Sequence, residues 1–198
     1  NNASTVGSLD LGLYKTEDGS NKILKDLEDN KFEIVYLLGV DNLKFEKKNE
    51  FIIYQGTHGD KGAEMADIIL PGAAYTEQNG YFTNLEGKLQ KAYKASYPPE
   101  DAKEDWIIIN ELAEAMNHRK LFNDKDELDS SLLNQVNLFL EKDILTKSVE
   151  IKNLSFDKEI LKITNDDYYY SNVIARASKT MFECKNSKIN LKSTGTEG

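Results

Sequence analysis

Three short and strongly apolar runs set the limits on how this chain can fold. They occupy residues 34–40, 51–55 and 68–70, and each is rich in β-branched or aromatic side chains. Such runs are typical of strands, and an unbroken apolar run is typical of a strand buried on both faces of a parallel sheet. The stretches between them are long enough to hold helices. The pattern therefore predicts an α/β fold with a mostly parallel sheet and flanking helices.

Apolar residues at three- and four-residue steps predict helices outside these runs. One is expected at residues 21–29. A second follows the pair Pro98 and Pro99, where acidic residues favour a helix amino terminus. These acidic residues are Glu100, Asp101, Glu104 and Asp105. A third is expected at residues 126–142. The residues predicted on the three apolar faces are Ile23, Leu24 and Leu27; Trp106, Ile109, Leu112, Ala113 and Met116; and Leu128, Leu132, Leu133, Val136 and Leu140.

A glycine-rich stretch, GTHGDKG at residues 56–62, follows the second apolar run. Backbone N–H groups in such a stretch can approach a phosphate. Glycines also serve an ordinary tight loop at a strand exit, where they adopt positive φ angles. The spacing matches neither the dinucleotide fingerprint nor the phosphate loop, so the ordinary loop is the favoured interpretation. His58 is the one plausible acid–base group within this stretch.

Turn signals frame a short β stretch farther along the chain. They are the pairs Asn79-Gly80 and Glu86-Gly87. Glu77 and Glu86 could form a carboxylate pair for acid–base chemistry, or they could accept hydrogen bonds from turn backbone. Because sequence spacing sets no distance between two carboxylates, the second interpretation is favoured.

The scarcity of cysteine and histidine limits the metal chemistry of the chain. Its 198 residues include one cysteine, Cys184, and two histidines, His58 and His118. Iron–sulfur clusters and structural zinc sites usually need four thiolate or imidazole ligands. We therefore predict no redox cofactor and no catalytic, cofactor-binding or metal-ligating residue in this chain. Cys184 is expected to be a small buried or partly exposed thiol.

Charge and hydropathy narrow the range of partners. The formal net charge is -9, and an acidic surface repels phosphate backbones, so free nucleic acid is not an expected partner. No apolar run approaches the ~20 residues that cross a bilayer, so no membrane span is expected. The first seven residues contain neither an initiator Met nor a targeting pattern, which predicts a processed chain or part of a longer one.

Several ordered stretches are similar to a known family. They read FIIYQGTHGD at 51–60, ADIILPGAAYTE at 66–77 and NLEGKLQ at 84–90, followed by Pro98-Pro99 and EDW at 104–106. Shorter likenesses lie at residues 9–12 and 174–181. In order and spacing they resemble the carboxy-terminal domain of the large iron–sulfur subunit of respiratory complex I, the NADH:ubiquinone oxidoreductase. That domain belongs to the molybdopterin oxidoreductase superfamily.

The resemblance implies a molybdopterin oxidoreductase-like fold without molybdenum. The implied role is a scaffold in the peripheral arm of complex I, on the matrix side of the mitochondrial inner membrane. It would support NADH-to-quinone electron transfer without carrying a redox centre. The implied partners are the other peripheral-arm subunits and the amino-terminal part of the same subunit, where the iron–sulfur clusters are expected.

Two alternatives stay open beside this interpretation. One is a cofactor-lining domain of an active molybdopterin oxidoreductase, with residues 56–62 and 84–90 beside the cofactor. Lys88 stands where the family commonly has Arg, which weakens a planar contact with phosphate. The other alternative is a nucleotide-binding module that uses the glycine-rich stretch.

The predicted organisation has three parts. They are an α/β part at residues 1–118, a mainly helical region at 119–164 and an extended interaction tail at 165–198. The run Tyr168 to Tyr170 is expected to bury itself in its own core or on a partner's surface. If the ring of Trp106 is fully buried, Trp106→Ala should cost about 3–5 kcal/mol. The residues expected to matter most for structure are Gly56, Gly59, Asp67, Pro71, Gly80, Asn84, Gly87 and Trp106.

Overall fold

Three parallel strands organise the first part of the chain. The computed structural model describes residues 5–13, 17–43, 45–136, 170 and 172–193. Its strands lie in the order β1 (Ile34–Leu38), β2 (Phe51–Gly56) and β3 (Ile68–Pro71), paired in parallel throughout. All three apolar runs are strands, so the predicted α/β class with a parallel sheet is confirmed.

The chain divides into two units, residues 1–141 and 142–198. Among the described helices, none is long and apolar enough to cross a membrane. Whether domains also divide after residues 118 and 164 stays a prediction. The remaining elements of the first unit are α1 (Thr5–Asp10), α2 (Glu17–Glu28), α3 (Lys61–Met65), β4 (Gly80–Thr83), β5 (Leu89–Ala92), α4 (Asp105–Ala115) and α5 (Lys125–Val136); those of the second are α6 (Val173–Ala177) and α7 (Lys179–Ser193).

One face of the three-stranded sheet carries the core. Leu37 of β1 and Ile52 and Tyr54 of β2 point to this core face, and all three are buried. Ala63 and Met65 of α3 pack against them. The connection from β2 to β3 therefore covers the core face, as in a βαβ unit.

The opposite face of the sheet is apolar and largely exposed. The prediction that residues 34–40 form a strand buried on both faces is wrong within the described structure, because β1 is an edge strand and Leu37 is its one buried residue. Asp105, the first residue of α4, contacts this open face at the carboxyl end of β2, where its side chain accepts a hydrogen bond from Gln55. By register and alternation, the open face consists of Ile34, Tyr36 and Leu38 in β1, Phe51, Ile53 and Gln55 in β2, and Ile68 and Leu70 in β3.

Asp67 fixes the start of β3 against β2. Its Oδ2 atom accepts the Ile52 N–H at 2.8 Å, and its own N–H donates to the Ile52 carbonyl at 2.8 Å. Its Oδ1 atom lies 2.6 Å from Lys47 Nζ. The hydrogen bond from Ile52 and then the ion pair with Lys47 hold the pKa of the Asp67 carboxyl below its ordinary value of 3.8. The structural importance predicted for Asp67 agrees with these contacts.

An antiparallel hairpin forms where the turn signals predict a β stretch. β4 pairs with β5, and the Asn84 side chain closes the turn by accepting the N–H groups of Glu86 and Lys88 at 3.1 and 2.8 Å. Gly87 adopts a φ of 84°, a conformation that favours glycine. Gly80 begins β4 without a positive φ, so only the second of the two predicted turns depends on its glycine.

The helix predicted after Pro98 and Pro99 is α4, but its burial differs from the expected stripe. Ile108 and Asn110 are its buried residues, whereas Met116 is 61% exposed. Trp106 is only half-buried, and its Nε1–H donates to Glu104 Oε2 at 2.9 Å. The condition for a loss of 3–5 kcal/mol on truncating Trp106 is therefore not met.

The other two predicted helices are confirmed with shifted ends. α2 begins four residues before the predicted start at Asn21, and of its expected stripe Leu27 is buried while Ile23 and Leu24 are exposed. α5 begins at Lys125. Residues 137–142 of the predicted third helix lie outside the described residues.

The second unit is helical in its described part. Asn172 caps α6 by accepting the Ala175 N–H at 2.9 Å, and α7 follows directly. The prediction of an extended tail is wrong for residues 173–193, because local capping supports helix there. Tyr168 and Tyr169 lie outside the described residues, and the Tyr170 ring lies 4.3 Å from Lys185 Nζ. Cys184 is exposed on α7.

A candidate site at the carboxyl edge of the sheet

A cavity of about 410 Å³ opens where β2 and β3 end. Crevices outside the carboxyl ends of parallel strands are the usual ligand sites of α/β sheets, so this cavity is the candidate functional site. Three chain segments that are far apart in sequence form its wall. The lining residues are Gly56, Thr57, His58, Pro71, Gly72, Ala74, Glu77, Pro99, Glu100, Asp101 and Ala102.

Backbone hydrogen bonds bring these segments together. The Gly72 N–H donates to the Gly56 carbonyl at 2.9 Å. Lys103 forms a parallel bridge with Gly72, with its N–H on the Pro71 carbonyl at 3.1 Å and its carbonyl on the Ala73 N–H at 2.8 Å. The segment before α4 therefore continues the sheet beside β3 and closes one side of the cavity.

The lining carries acidic groups and one imidazole. Glu77 Oε2 accepts the Ala74 N–H at 2.9 Å, which confirms for Glu77 the predicted bond to turn backbone. Glu100 has a φ of 45°, an uncommon conformation for a residue with a side chain. His58 Nδ1 lies 2.8 Å from Thr57 Oγ1. Glu86 is exposed in the β4–β5 turn and is not part of the cavity lining.

A buried polar network lies beside the cavity. Gln55 is fully buried, and its Nε2–H donates to Asp105 Oδ1 at 2.7 Å while its Oε1 accepts the Tyr36 hydroxyl. Gln78 Nε2 approaches Asp105 Oδ2 at 3.5 Å. Partial burial and the charge of Asp105 raise the pKa of the Tyr36 hydroxyl. Sequence reasoning missed this network, although a glutamine within an otherwise apolar strand was a visible signal.

The glycine-rich stretch does not form a phosphate cradle. The Gly62 N–H donates to the Asp41 carbonyl at 3.0 Å, and the Lys61 N–H donates to Asp60 Oδ1 at 2.8 Å. The Asp60 carboxylate thus occupies the amino terminus of α3, where an anionic ligand would otherwise sit. These contacts support the ordinary loop over a nucleotide site.

Gly56 and Gly62 serve close packing, and none of the three glycines of this stretch serves a positive φ angle. No residue of the stretch has a positive φ, so that part of the prediction is wrong. A Cβ atom on Gly56 would lie 2.2 Å from the Tyr54 hydroxyl, and one on Gly62 would lie 2.5 Å from the Val40 carbonyl oxygen. A Cβ on Gly59 would meet nothing within 4 Å, so the importance predicted for Gly59 is not supported.

Metal-binding side chains are not gathered in the described part of the chain. Among the described residues, no group of three or more His, Cys, Asp or Glu side chains is placed to hold a metal ion. His58 lines the cavity, whereas His118 is exposed after the end of α4.

Comparison with known families shows to which family this chain belongs. The model of the molybdopterin oxidoreductase family matches residues 1–115. The chain belongs to the molybdopterin oxidoreductase family. A second family model, described as the C-terminal region of the G subunit of NADH-ubiquinone oxidoreductase, matches residues 135–184. The resemblance, which is densest in residues 51–106 and includes residues 9–12 and 174–181, is thereby confirmed.

Curated relatives of this family member match almost its whole length. The NADH-ubiquinone oxidoreductase 75 kDa subunit of Reclinomonas americana is 37% identical over 92% of the chain. The G subunit of the Rickettsia bellii NADH-quinone oxidoreductase is 41% identical over 98%, and the mitochondrial 78 kDa subunit of Candida albicans is 37% identical over 92%. The matches cover 27%, 28% and 26% of these relatives, so the chain spans about a quarter of their length.

The family name implies a molybdenum–pterin cofactor, but the residues of the cavity do not fit one. Such a cofactor carries phosphate, and anionic groups bind where Lys, Arg or unpaired backbone N–H groups converge. The described lining contains Glu77, Glu100 and Asp101 and no Lys or Arg. The carboxylates would repel a phosphate. The geometry does not favour the alternative of a cofactor-lining domain in an active molybdopterin oxidoreductase.

Proposed function

We propose that this chain is a structural portion of the large subunit of NADH-quinone oxidoreductase, respiratory complex I. In this role it supports NADH-to-quinone electron transfer without carrying a redox centre. The observation that carries the proposal is the similarity, at 37–41% identity over at least 92% of the chain, to three proteins that bear this subunit's names.

The partners and location belong to the same proposal. The iron–sulfur part of the subunit and the other peripheral-arm subunits are the partners that a scaffold of this kind would hold. The name of the Candida albicans relative places that protein in mitochondria, which supports a mitochondrial location. We propose the matrix side of the inner membrane as the position of this chain.

The acid-lined cavity supports a structural role over a catalytic one. Its Glu77 is engaged with the Ala74 N–H, and the Gln55–Asp105 network beside it links β2 to the start of α4. The polar groups named here are thus held by contacts within the fold. They stiffen the junction of the sheet, the 99–103 segment and α4.

Purification of the native assembly tests this function. The chain should be recovered, through an antibody or a small tag, together with an assembly that contains flavin and iron–sulfur clusters and oxidises NADH. Metal analysis of the chain itself should give no stoichiometric molybdenum or iron. Recovery of the chain outside any NADH-oxidising assembly, or with a bound pterin, would show that the proposal is wrong.

A further inference from the structure

The pair Asn79-Gly80 places a reactive side chain next to an unshielded backbone nitrogen. Asn79 immediately precedes β4, and Gly80 is the first residue of that strand. The backbone nitrogen of the following residue can attack the Cγ atom of an asparagine. This attack is easiest when the following residue is glycine, because glycine has no Cβ atom to shield its nitrogen. Of all the asparagines in the chain, only Asn79 is followed by glycine.

A single hydrogen bond holds the side chain of Asn79. Its Oδ1 atom accepts the Lys94 N–H at 2.9 Å, across the open end of the β4–β5 hairpin. Among the described residues, no other group forms a hydrogen bond with this side chain. Asn79 is half-buried and Lys94 is exposed, so water reaches this end of the hairpin. Loss of one hydrogen bond therefore frees the carboxamide of Asn79 to react.

Strand pairing restrains the nitrogen that would attack. Gly80 lies opposite Ala92 in the hairpin, and the Asn84 N–H donates to the Lys88 carbonyl at 3.0 Å. Because hydrogen-bonded pairs alternate along an antiparallel ladder, the pair of Gly80 and Ala92 is hydrogen-bonded as well. The Gly80 nitrogen is thus engaged while the hairpin is closed. A hairpin of two short strands is only marginally stable by itself, so it opens locally and releases this nitrogen.

Backbone contacts on both sides of Asn79 fix the length of chain between them. On one side, the Thr76 carbonyl accepts the Ala95 N–H at 2.8 Å. On the other side, Gly80 pairs with Ala92. The chain from residue 76 to residue 80 is therefore tied at both ends to the same neighbouring segment. An additional backbone atom between these two ties would force one of them to shift.

We propose that Asn79 is a site of spontaneous deamidation and that opening of the β4–β5 hairpin controls the reaction. The Gly80 nitrogen gives up its proton and forms a bond to Asn79 Cγ. The bond from Cγ to Nδ2 breaks, and Nδ2 leaves as ammonia with that proton. Water then opens the resulting cyclic imide at either of its two carbonyl carbons. Opening at Cγ leaves an aspartate, and opening at the backbone carbonyl leaves an isoaspartate, whose main chain runs through Cγ.

The two products affect the hairpin differently. In the aspartate product, a carboxylate oxygen accepts the Lys94 N–H as the amide oxygen of Asn79 does. In the isoaspartate product, the main chain between Thr76 and Gly80 is longer by one carbon atom. The ties at the two ends of this segment no longer fit together, so the isoaspartate loosens the hairpin.

Peptide mapping of the full chain after long incubation at mildly alkaline pH tests the site. Isoaspartate should accumulate at Asn79 and not at Asn84, where the side chain of Leu85 shields the attacking nitrogen. Gly80→Ala should remove the signal, because its Cβ atom shields the nitrogen and meets Phe82 at 3.4 Å, close to van der Waals contact. If the folded chain formed no isoaspartate at Asn79, or if Gly80→Ala formed as much as the parent, the proposal would be overturned.

A variant of the hairpin turn tests the control by opening. Gly87 has a φ of 84°, so Gly87→Ala strains the turn and increases the open fraction of the hairpin. The deamidation of Asn79 should become faster on the order of 10-fold. The matched control is Leu85→Ala in the same turn, which should react at the rate of the parent because Leu85 is 92% exposed. An unchanged rate in Gly87→Ala would show that opening does not control the reaction.

Hydrogen exchange tests the effect of the product. By the alternation of the ladder, the amides of Phe82 and Gln90 are hydrogen-bonded in the closed hairpin. In the purified isoaspartate product, these amides should exchange on the order of 10-fold faster than in the parent, because the hairpin opens more often. The control variant Asn79→Asp should exchange as the parent does. Equal exchange in the isoaspartate product and in Asn79→Asp would contradict the proposed loosening.

Discussion

At the scale of single residues, two glycines of the glycine-rich stretch differ in how closely they are packed. Gly62 is packed against the Val40 carbonyl oxygen and the Tyr54 ring, which a Cβ atom would meet at 2.5 and 2.9 Å. Gly59 is exposed, and a Cβ atom there would have open space. The sequence shows the same residue type at both positions, so the difference comes from the fold: Gly62 lies in α3 against the Tyr54 ring, and Gly59 lies in the exposed segment before it.

The two glycines therefore give a matched pair of variants. Gly62→Ala should lower the free energy of unfolding by about 1–3 kcal/mol, because the backbone must shift to admit the methyl group. Gly59→Ala should be neutral or should stabilise by about 0.4–1 kcal/mol, because it restricts the unfolded chain. Urea unfolding of both variants against the parent measures these changes. Equal effects would contradict the packing described around Gly62.

The contacts of Asp67 predict how the stability of the chain changes as the pH falls. Its pKa is lowered in the folded state by the Ile52 N–H and by Lys47, so the charged form favours folding. This stabilisation is complete above the ordinary pKa of 3.8 and is lost as the pH falls toward the lowered value. The melting temperature of Asp67→Asn should therefore fall less than that of the parent between about pH 5 and pH 2. Parallel melting curves for the two proteins across this range would show that the contacts of Asp67 do not contribute.

At the scale of elements, the positions of the strands could be predicted from the sequence, but their burial could not. The run 51–55 became β2 with one added residue, and the run 68–70 became β3 with one added residue. Burial of β1 could not be read from its composition, because burial depends on what lies beside a strand. The same holds for α4, where Asn110 is buried because its side chain binds the backbone of residues 121 and 122.

The candidate site was beyond sequence reasoning for a related reason. Its wall joins residues 56–58, 71–77 and 99–102, which only the strand order and the bridge between Gly72 and Lys103 bring together. The glycine-rich stretch and Glu77 were singled out from the sequence, and both are found at the cavity. Glu100 and Asp101 were placed instead at the amino terminus of a helix, and their part in the cavity was missed.

The hydrogen-bond network that joins β1, β2 and α4 predicts that two variants lose different amounts of stability. Gln55→Leu removes the donor to Asp105 Oδ1 and should cost about 1.5–3 kcal/mol, because a charged partner loses a buried hydrogen bond. Tyr36→Phe removes only the hydroxyl that donates to Gln55 and should cost about 0.5–1.5 kcal/mol. Chemical denaturation of the two variants gives the ranking. If Tyr36→Phe lost as much stability as Gln55→Leu, the hydrogen bond between Gln55 and Asp105 would not be the strongest contact of this network.

At the scale of the whole molecule, one face of the sheet is largely exposed, and the chain spans only part of the length of its relatives. A parallel sheet normally has both faces covered, yet among the described residues Ile34, Phe51 and Ile68 of the open face are 43–63% exposed. The curated relatives are about four times as long as the stretch that they share with this chain.

Two truncated chains would test where the first unit ends as a folding unit. The predicted boundary after residue 118 separates Asn110 from the backbone groups of Leu121 and Phe122, which its side chain binds at 2.8–3.2 Å. It also removes Asp129, whose Oδ2 atom lies 3.1 Å from Lys91 Nζ. A chain that ends at Glu141 keeps all of these contacts.

The chain ending at residue 141 should therefore unfold in one cooperative transition, and the chain ending at residue 118 should be less stable by at least about 1–3 kcal/mol. The loss arises because buried Asn110 is left without its partners. Thermal unfolding followed by circular dichroism measures both. The matched control is Asn110→Ala in the longer chain, which isolates the polar contribution from the packing of α5. If the shorter chain were as stable as the longer one, the contacts across residue 118 would be dispensable and the boundary predicted there would be the correct one.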